Sequence, residues 1–153
     1  MPVALFSLEM SSIQLVNRLI AAESELGSDK IKKGTFTIPI LALLSIWLVY
    51  TIEIGFGFNF NKFGIYPKTI VGLRGILFSP FIHNSESINH IFSNSIPMLI
   101  LGTSLFYFYR EIAFRVFIGI WLTSGFWLWV LSRPSYHIGA SGIVYGLAFF
   151  LFF

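Results

Sequence analysis

Two polar clusters interrupt apolar stretches of this 153-residue chain, and both contain residue types that take part in hydrolysis. His90 and Asn94 are four residues apart, so they share one face of a helix. The second cluster is Gly139-Ala-Ser-Gly142, in which Ser141 lies at the start of an apolar segment. A serine hydroxyl becomes a nucleophile when a base lies nearby, and the oxyanion that it generates needs positioned hydrogen-bond donors. Polar groups are costly in such apolar surroundings, so both clusters are candidates for a functional site.

The composition of the chain is that of a membrane protein. It is 56% hydrophobic and 11% charged, with a mean hydropathy of +0.79, whereas soluble domains carry about 25% charged residues. The chain has no cysteine, which excludes a disulfide scaffold, a thiolate nucleophile and a cysteine-ligated metal. A net charge of +3 is ordinary for a membrane protein, and no basic stripe with interleaved aromatic residues points to nucleic acid.

The apolar residues form runs of about the length that crosses a bilayer, which takes about 20 residues. These runs predict an all-α membrane protein with four transmembrane helices: Ile38–Ile54, Ile88–Tyr109, Ile112–Leu131 and a fourth that starts near Gly139. The fourth run is still apolar at Phe153, so we expect its helix to continue beyond the chain. Residues 55–87 form a long interruption rich in Gly, Asn, Pro and Lys, and loops of this length are usually functional.

Basic residues next to the spans indicate their orientation, because lysine and arginine accumulate on the cytoplasmic side of a membrane. Those on the side of the N-terminus are Lys30, Lys32, Lys33, Arg110 and Arg115, and those on the other side are Lys62, Lys68, Arg74 and Arg133. The difference is small, and it favours a cytoplasmic N-terminus. We expect the membrane to be a bacterial plasma membrane. Both polar clusters then fall near the outer surface, where they can face each other.

The order of the two clusters and the long loop before them give the chain a recognisable pattern. Gly139-Ala-Ser-Gly142 followed by Tyr145, with His90 and Asn94 earlier, resembles the rhomboid family of intramembrane serine proteases over residues 37–153. In that family six helices form the core, and a serine attacks a peptide bond within the membrane. The resemblance implies that residues 35–153 are a partial rhomboid-like domain that contains four of the six helices.

The resemblance also implies a role for each residue of the two clusters. Ser141 is the nucleophile, and His90 and Asn94 form the oxyanion hole with the backbone N–H of Ser141. Tyr145 packs beside the catalytic histidine. The small residues that allow close packing around the site are Gly139, Gly142 and Gly146. The implied partners are the lipid bilayer and the transmembrane segments of substrate proteins, and no cofactor or metal is implied.

The chain departs from the family pattern in one respect, the general base. The family's base is a histidine on the sixth helix, but no histidine follows His137, which precedes Ser141 by four residues and does not match that base. We therefore expect the chain as given to be inactive, and the glycine surface around Gly142 and Gly146 to be exposed. The alternative is a non-catalytic rhomboid-like protein that only binds transmembrane helices. A histidine in the last helix of the complete gene would distinguish the two.

Residues 1–34 have a mixed composition and a different resemblance. A predicted strand and helix, with Val3–Met10, then Gln14-Leu-Val-Asn-Arg18 and Lys33-Gly34, are similar to bacterial replicative DNA helicase of the DnaB type. The family's glutamate at the position of Glu9 assists ATP hydrolysis. No Gly-rich phosphate loop with its lysine precedes this segment. We interpret it as a fusion remnant that is not an independent domain, and a helicase fragment out of context is the second alternative for the function.

Structural explanations exist for the same polar residues. Ser141 can be a small helix-packing residue, and His90 and Asn94 a structural polar pair. The three histidines have no usual metal-ligand spacing. We expect His83 to stabilise the long loop and Glu53 to lie at the level of the lipid headgroups. The aromatic run is expected to face lipid, and it consists of Trp121, Phe126, Trp127 and Trp129.

Overall fold

The computed structural model describes residues 36–84 and 88–153, and every regular element in this part of the chain is helical. The α-helices are α1 (Thr37–Phe56), α2 (Ile70–Leu73), α3 (Gly75–Phe78), α4 (Ile88–Phe108), α5 (Ala113–Leu131) and α6 (Ser141–Phe152). Two 3-10 turns, Asn61–Phe63 and Ser79–Phe81, lie in what we call the long loop, residues 57–84. The predicted all-α fold is confirmed. The strand and helix predicted for residues 1–34 lie outside the described residues.

Three of these helices are long and apolar enough to cross a membrane. They are α1, α4 and α5, with 20, 21 and 19 residues. The predicted ends of these spans agree with the structure to within two residues. The fourth predicted helix corresponds to α6, an apolar helix of 12 residues. The protein is an integral membrane protein built on a helical bundle.

Helix α1 ends at a turn whose N–H groups donate hydrogen bonds to a carbonyl of its last turn. Gly57 adopts a left-handed conformation (φ 67°), and its N–H and that of Phe58 both donate to the carbonyl oxygen of Glu53. The Glu53 side chain, only 2% exposed, accepts the Phe60 N–H through Oε1 at 3.0 Å. Glu53 is therefore buried where the long loop begins, with one carboxylate oxygen bonded to the loop backbone. Its place at the headgroup level stays a prediction.

Helices α1 and α4 approach closely at small residues and share one polar link. A methyl group at Gly102 would lie 3.3 Å from Pro39 Cβ, so glycine sets the distance between the two helices. Trp47 Nε1 donates to Ser95 Oγ at 3.1 Å, and the Ser95 hydroxyl donates to the Ile91 carbonyl at 2.7 Å. The buried polar groups at this contact satisfy each other inside the bundle, as an apolar environment requires.

Helix α6 packs on α5 through its two glycines. A methyl group at Gly142 would lie 3.2 Å from Ser124 Oγ, and one at Gly146 would overlap Ile120 Cγ2. The expectation that this glycine surface is exposed is therefore wrong. Residues four apart face one neighbour, and the chain's own third span occupies that position.

The long loop is attached to α5 by two indole rings. Trp129 Nε1 donates to the Thr69 carbonyl at 2.9 Å, and the Lys68 N–H donates to the Trp129 carbonyl at 3.1 Å. Two turns earlier in α5, Trp121 Nε1 donates to the Ile76 carbonyl at 2.8 Å. These tryptophans hold the loop against the bundle rather than facing only lipid.

The expectation for the aromatic run is thus right for one half of it. Phe126 and Trp127 are exposed on α5, as residues that face lipid are. Trp121 and Trp129 instead donate their indole N–H groups to loop carbonyls, and the Trp129 ring lies 6.3 Å from that of Phe126. Hydropathy alone does not separate the two pairs, because all four side chains are aromatic.

Candidate active site

Two parts of the long loop hold the segment that leads into α6. Ile65 and His137 form an antiparallel pair with two N–H to carbonyl hydrogen bonds of 2.9 Å. The Gly139 N–H donates to the Ser79 carbonyl at 2.9 Å. The position of Ser141 is therefore fixed by loop residues that lie far from it in sequence.

Gly139 is the point at which the two polar clusters meet. Its φ of +103° is one that side-chain-bearing residues rarely adopt. A methyl group here would lie 3.1 Å from His90 Nε2 and 3.8 Å from Asn94 Nδ2. The turn before Ser141 thus packs directly on the face of α4 that carries His90 and Asn94.

Helix α6 begins at Ser141, with Ala140 as its N-cap. The N–H groups of Ile143 and Val144 both donate to the Ala140 carbonyl, at 3.0 and 3.1 Å. Among the described residues, no backbone carbonyl accepts the N–H of Ser141 or Gly142, and no side chain bonds to the Ser141 hydroxyl. Unpaired N–H groups at a helix N-terminus attract negative charge, so this turn is suited to an oxyanion.

Asn94 is buried at the base of this turn and is 5% exposed. Its Nδ2 donates to the His90 carbonyl at 3.0 Å, which links the two residues of the cluster along α4. The same Nδ2 lies 3.3 Å from His83 Nε2. The side-chain amide is therefore held from two directions.

His83 is a site residue whose place the sequence did not predict. It is fully buried, and its ring centroid lies 5.3 Å from that of His90 with an angle of 61° between the planes. Burial lowers the pKa of His83 to about 4; repulsion from His90 adds to this shift and the Phe81 carbonyl opposes it. We expected His83 only to stabilise the loop. No spacing rule connects a loop residue with a helix residue eleven positions later.

His137 is close to Ser141 in sequence but is engaged elsewhere. Its Nε2 lies 3.0 Å from the Arg133 carbonyl and 3.3 Å from Ser135 Oγ. A carbonyl oxygen only accepts, so this nitrogen carries a hydrogen and is engaged within its own loop. That His137 is not the base stays a prediction.

Tyr145 lies one turn after Ser141 and is 75% exposed in the described part of the chain. The predicted contact with a catalytic histidine is thus not among the contacts of the described residues. Within those residues, no group of three His, Asp or Glu side chains is placed to hold a metal ion.

A groove of about 610 Å³ lies between α5 and α6, toward the end of α6 remote from Ser141. Its walls include Tyr109, Trp127, Gly146 and Phe149. His90, Asn94 and Ser141 do not line it, so the polar site and the groove are separate features.

The fold and the site define a helical integral membrane protein in which the turn before Ser141 packs on the helix face that carries His90 and Asn94. Residues 71–153 match the family model of the Rhomboid domain, which is more than half of the chain. The chain therefore belongs to the rhomboid family, a family of intramembrane proteases. The predicted family is confirmed, whereas the helicase resemblance of residues 1–34 receives no support.

The similar proteins in other organisms are uncharacterised. Proteins of Mycobacterium tuberculosis and Mycobacterium bovis are 34% identical over 132 residues, which cover 78% of this chain and 51% of the relative. A protein of Mycobacterium leprae is 33% identical over 127 residues, with coverages of 78% and 49%. The chain thus spans about half the length of the curated relatives it matches. No solved structure matches.

Proposed function

We propose that the complete protein is an intramembrane serine endopeptidase that cleaves transmembrane segments of other membrane proteins. The observation that carries this proposal is the contact at Gly139, where the turn before Ser141 packs on His90 and Asn94. Ser141 is the nucleophile. The oxyanion hole consists of the Ser141 N–H with the side chains of His90 and Asn94. Gly142 and Gly146 let α6 pack closely on α5, which supports the helix that carries the nucleophile.

The reaction needs one proton acceptor and several fixed donors. Ser141 Oγ attacks the peptide carbonyl carbon while its proton passes to a base, and the carbonyl oxygen becomes an oxyanion held by the donors. The C–N bond then breaks, and the amine leaves with the proton. Water hydrolyses the acyl-enzyme in a second, equivalent step. Each donor in a dry site contributes about 3–4 kcal/mol to the transition state.

The base is proposed to come from the part of the protein that the chain does not include. None of the three histidines of the chain suits this role: His83 is bonded to Asn94, His90 packs on Gly139, and His137 Nε2 is bonded to the Arg133 carbonyl. The relatives are about twice as long as the matched portion. That length is enough for further helices, including the one that carries the family's histidine.

The orientation in the membrane is part of the proposal. A cytoplasmic N-terminus follows from the basic residues that flank α1 and the α4–α5 turn, and the membrane is a bacterial plasma membrane. The partners are then transmembrane segments whose cleaved bond lies near the outer leaflet, level with Ser141.

The test is a cleavage assay with the complete protein, reconstituted in liposomes with a fluorogenic transmembrane substrate. We expect Ser141→Ala to abolish cleavage. The matched control is Ser135→Ala, a change in an exposed loop six residues earlier, which should leave the rate unchanged. Cleavage that survives Ser141→Ala would refute the proposal, and substrate binding without any cleavage by the native protein would favour the non-catalytic alternative.

A further inference from the structure

The orientation of the Asn94 amide is fixed by the backbone of its own helix. A carbonyl oxygen can only accept a hydrogen bond, and the His90 carbonyl lies 3.0 Å from one end of the amide. That end is therefore Nδ2, the donor. An amide turned by 180° would place two oxygens against each other.

This orientation determines which nitrogen of His83 carries the hydrogen. The second N–H of Asn94 Nδ2 points to His83 Nε2 at 3.3 Å, so Nε2 must offer a lone pair. A hydrogen on Nε2 would set two donors against each other in a fully buried place. His83 is thus neutral, with its hydrogen on Nδ1, the nitrogen that does not face Asn94. The low pKa of His83 is consistent with this, because it keeps the ring neutral at ordinary pH.

Both N–H groups of Asn94 are engaged before any oxyanion is present. The bond to the His90 carbonyl is the shorter, at 3.0 Å, and the contact with His83 is the longer, at 3.3 Å. When negative charge develops next to Asn94, the longer bond is the one that yields. We propose that His83 is a positioning residue, which holds the Asn94 amide in place and exchanges its hydrogen bond for the oxyanion of the transition state. This inference rests on the proposed function, since it needs Asn94 to be an oxyanion donor.

Three substitutions separate the acceptor from the bulk of the ring. His83→Gln can place an acceptor oxygen at the position of Nε2, whereas His83→Asn can place one only at the position of Nδ1, which does not face Asn94. His83→Met fills the space with a very weak acceptor. In the cleavage assay, His83→Met and His83→Asn are expected to lower kcat about tenfold with little change in KM, because the affected interaction exists only in the transition state. His83→Gln is expected to recover at least part of this loss.

A double substitution tests whether His83 acts through Asn94. In an Asn94→Ala background, His83→Met should lower kcat no further, because the donor that His83 positions is gone. Equal losses in both backgrounds, or the same kcat for His83→Gln and His83→Asn, would overturn the inference. Each variant's Tm is measured in parallel, since a purely structural histidine would lower Tm and kcat in both backgrounds.

A measurement without catalysis separates the inference from the proposed function. Nitrogen NMR of the complete protein with labelled histidine should show His83 with Nδ1 protonated and Nε2 bare at pH 7. A hydrogen on Nε2 would overturn the inference, whatever the protein cleaves. If Ser141→Ala leaves cleavage intact, the proposed function fails instead, while the NMR result still decides whether the His83–Asn94 bond exists.

Discussion

Two loops of the protein each carry a histidine shortly before a helix that contains a site residue. The two rings differ in their burial and in the hydrogen-bonding role of Nε2. His83 precedes α4, is fully buried, and receives a hydrogen bond from Asn94 through Nε2. His137 precedes α6, is half-buried, and uses Nε2 to donate to the Arg133 carbonyl. The role of a ring nitrogen is therefore set by the group that faces it. Distance from Ser141 in sequence is a poor guide, because the near histidine turns away and the remote one joins the site.

Among these variants, the largest loss of kcat is expected for a substitution of Asn94, the residue that His83 contacts. Asn94→Ala removes one oxyanion donor and should lower kcat of the complete protein by roughly 10²-fold. The control is Ser93→Ala at the neighbouring position, where the exposed hydroxyl donates only to the His90 carbonyl, and its rate should stay near that of the native protein. Equal rates for the two variants would remove Asn94 from the oxyanion hole.

A smaller loss is expected where the His137 loop meets His90. Gly139→Ala forces a side chain into φ +103° and places it 3.1 Å from His90 Nε2. The strain is of the order of 1–3 kcal/mol, so we expect roughly a tenfold loss of rate or more. In Gly119→Ala the new methyl group meets nothing within 4 Å, and this variant should behave as the native protein in the same assay. A fully active Gly139→Ala protein would show that the contact at Gly139 does not position the site.

The burial of His83 should also make the stability of the protein depend on pH. The pKa of His83 is about 4 in the folded protein and 6.5 in the ordinary state. Between these values only the unfolded chain binds the proton, so the free energy of unfolding should fall as the pH is lowered from 6.5 towards 4. The slope is at most about 1.4 kcal/mol per pH unit, and it vanishes above 6.5 and below 4.

Denaturant unfolding in detergent, followed by tryptophan fluorescence, measures this slope. His83→Gln should remove this slope, whereas Ser93→Ala, which changes no titratable group, should leave it in place. The groups that face His83 are the His90 ring, the Asn94 amide and the Phe81 carbonyl. The same pH dependence for His83→Gln and the native protein would show that another group is responsible.

The smallest change tests whether the His137 loop lies on the outer side of the membrane. The chain has no cysteine, so Ser135→Cys is a single reporter in that loop. It should react with a membrane-impermeant thiol reagent in intact cells without loss of activity. Arg110→Cys in the α4–α5 turn is the counterpart, and it should react only after lysis. Labelling in the reverse order would place the N-terminus outside.

The spans and the meeting of the two clusters were within reach of sequence reasoning, because each rests on a local rule. Runs of apolar residues locate α1, α4 and α5, and the spacing of His90 and Asn94 places them on one helix face. The rhomboid resemblance supplied the partner cluster around Ser141. The length of an apolar run and the spacing along a helix are enough to predict helix ends and shared helix faces from sequence.

Several of the features that sequence reasoning missed involve the long loop. His83 reaches Asn94, Glu53 bonds to the Phe60 N–H, and the indoles of Trp121 and Trp129 hold loop carbonyls. Each contact joins a membrane-spanning helix to the long loop, whose path neither helical periodicity nor hydropathy predicts. Such contacts follow only from the folded path of the loop.

The attachment of the loop to α5 also determines which substitutions the protein can tolerate. On the loop side the bonded atoms are carbonyl oxygens of Thr69 and Ile76, and every residue type has a backbone carbonyl. On the helix side they are indole N–H groups, which only tryptophan supplies. The two anchoring bonds therefore do not depend on which side chains the loop carries at these positions. A single exchange of Trp121 or Trp129 for phenylalanine would remove one of the two bonds, even though that exchange looks conservative.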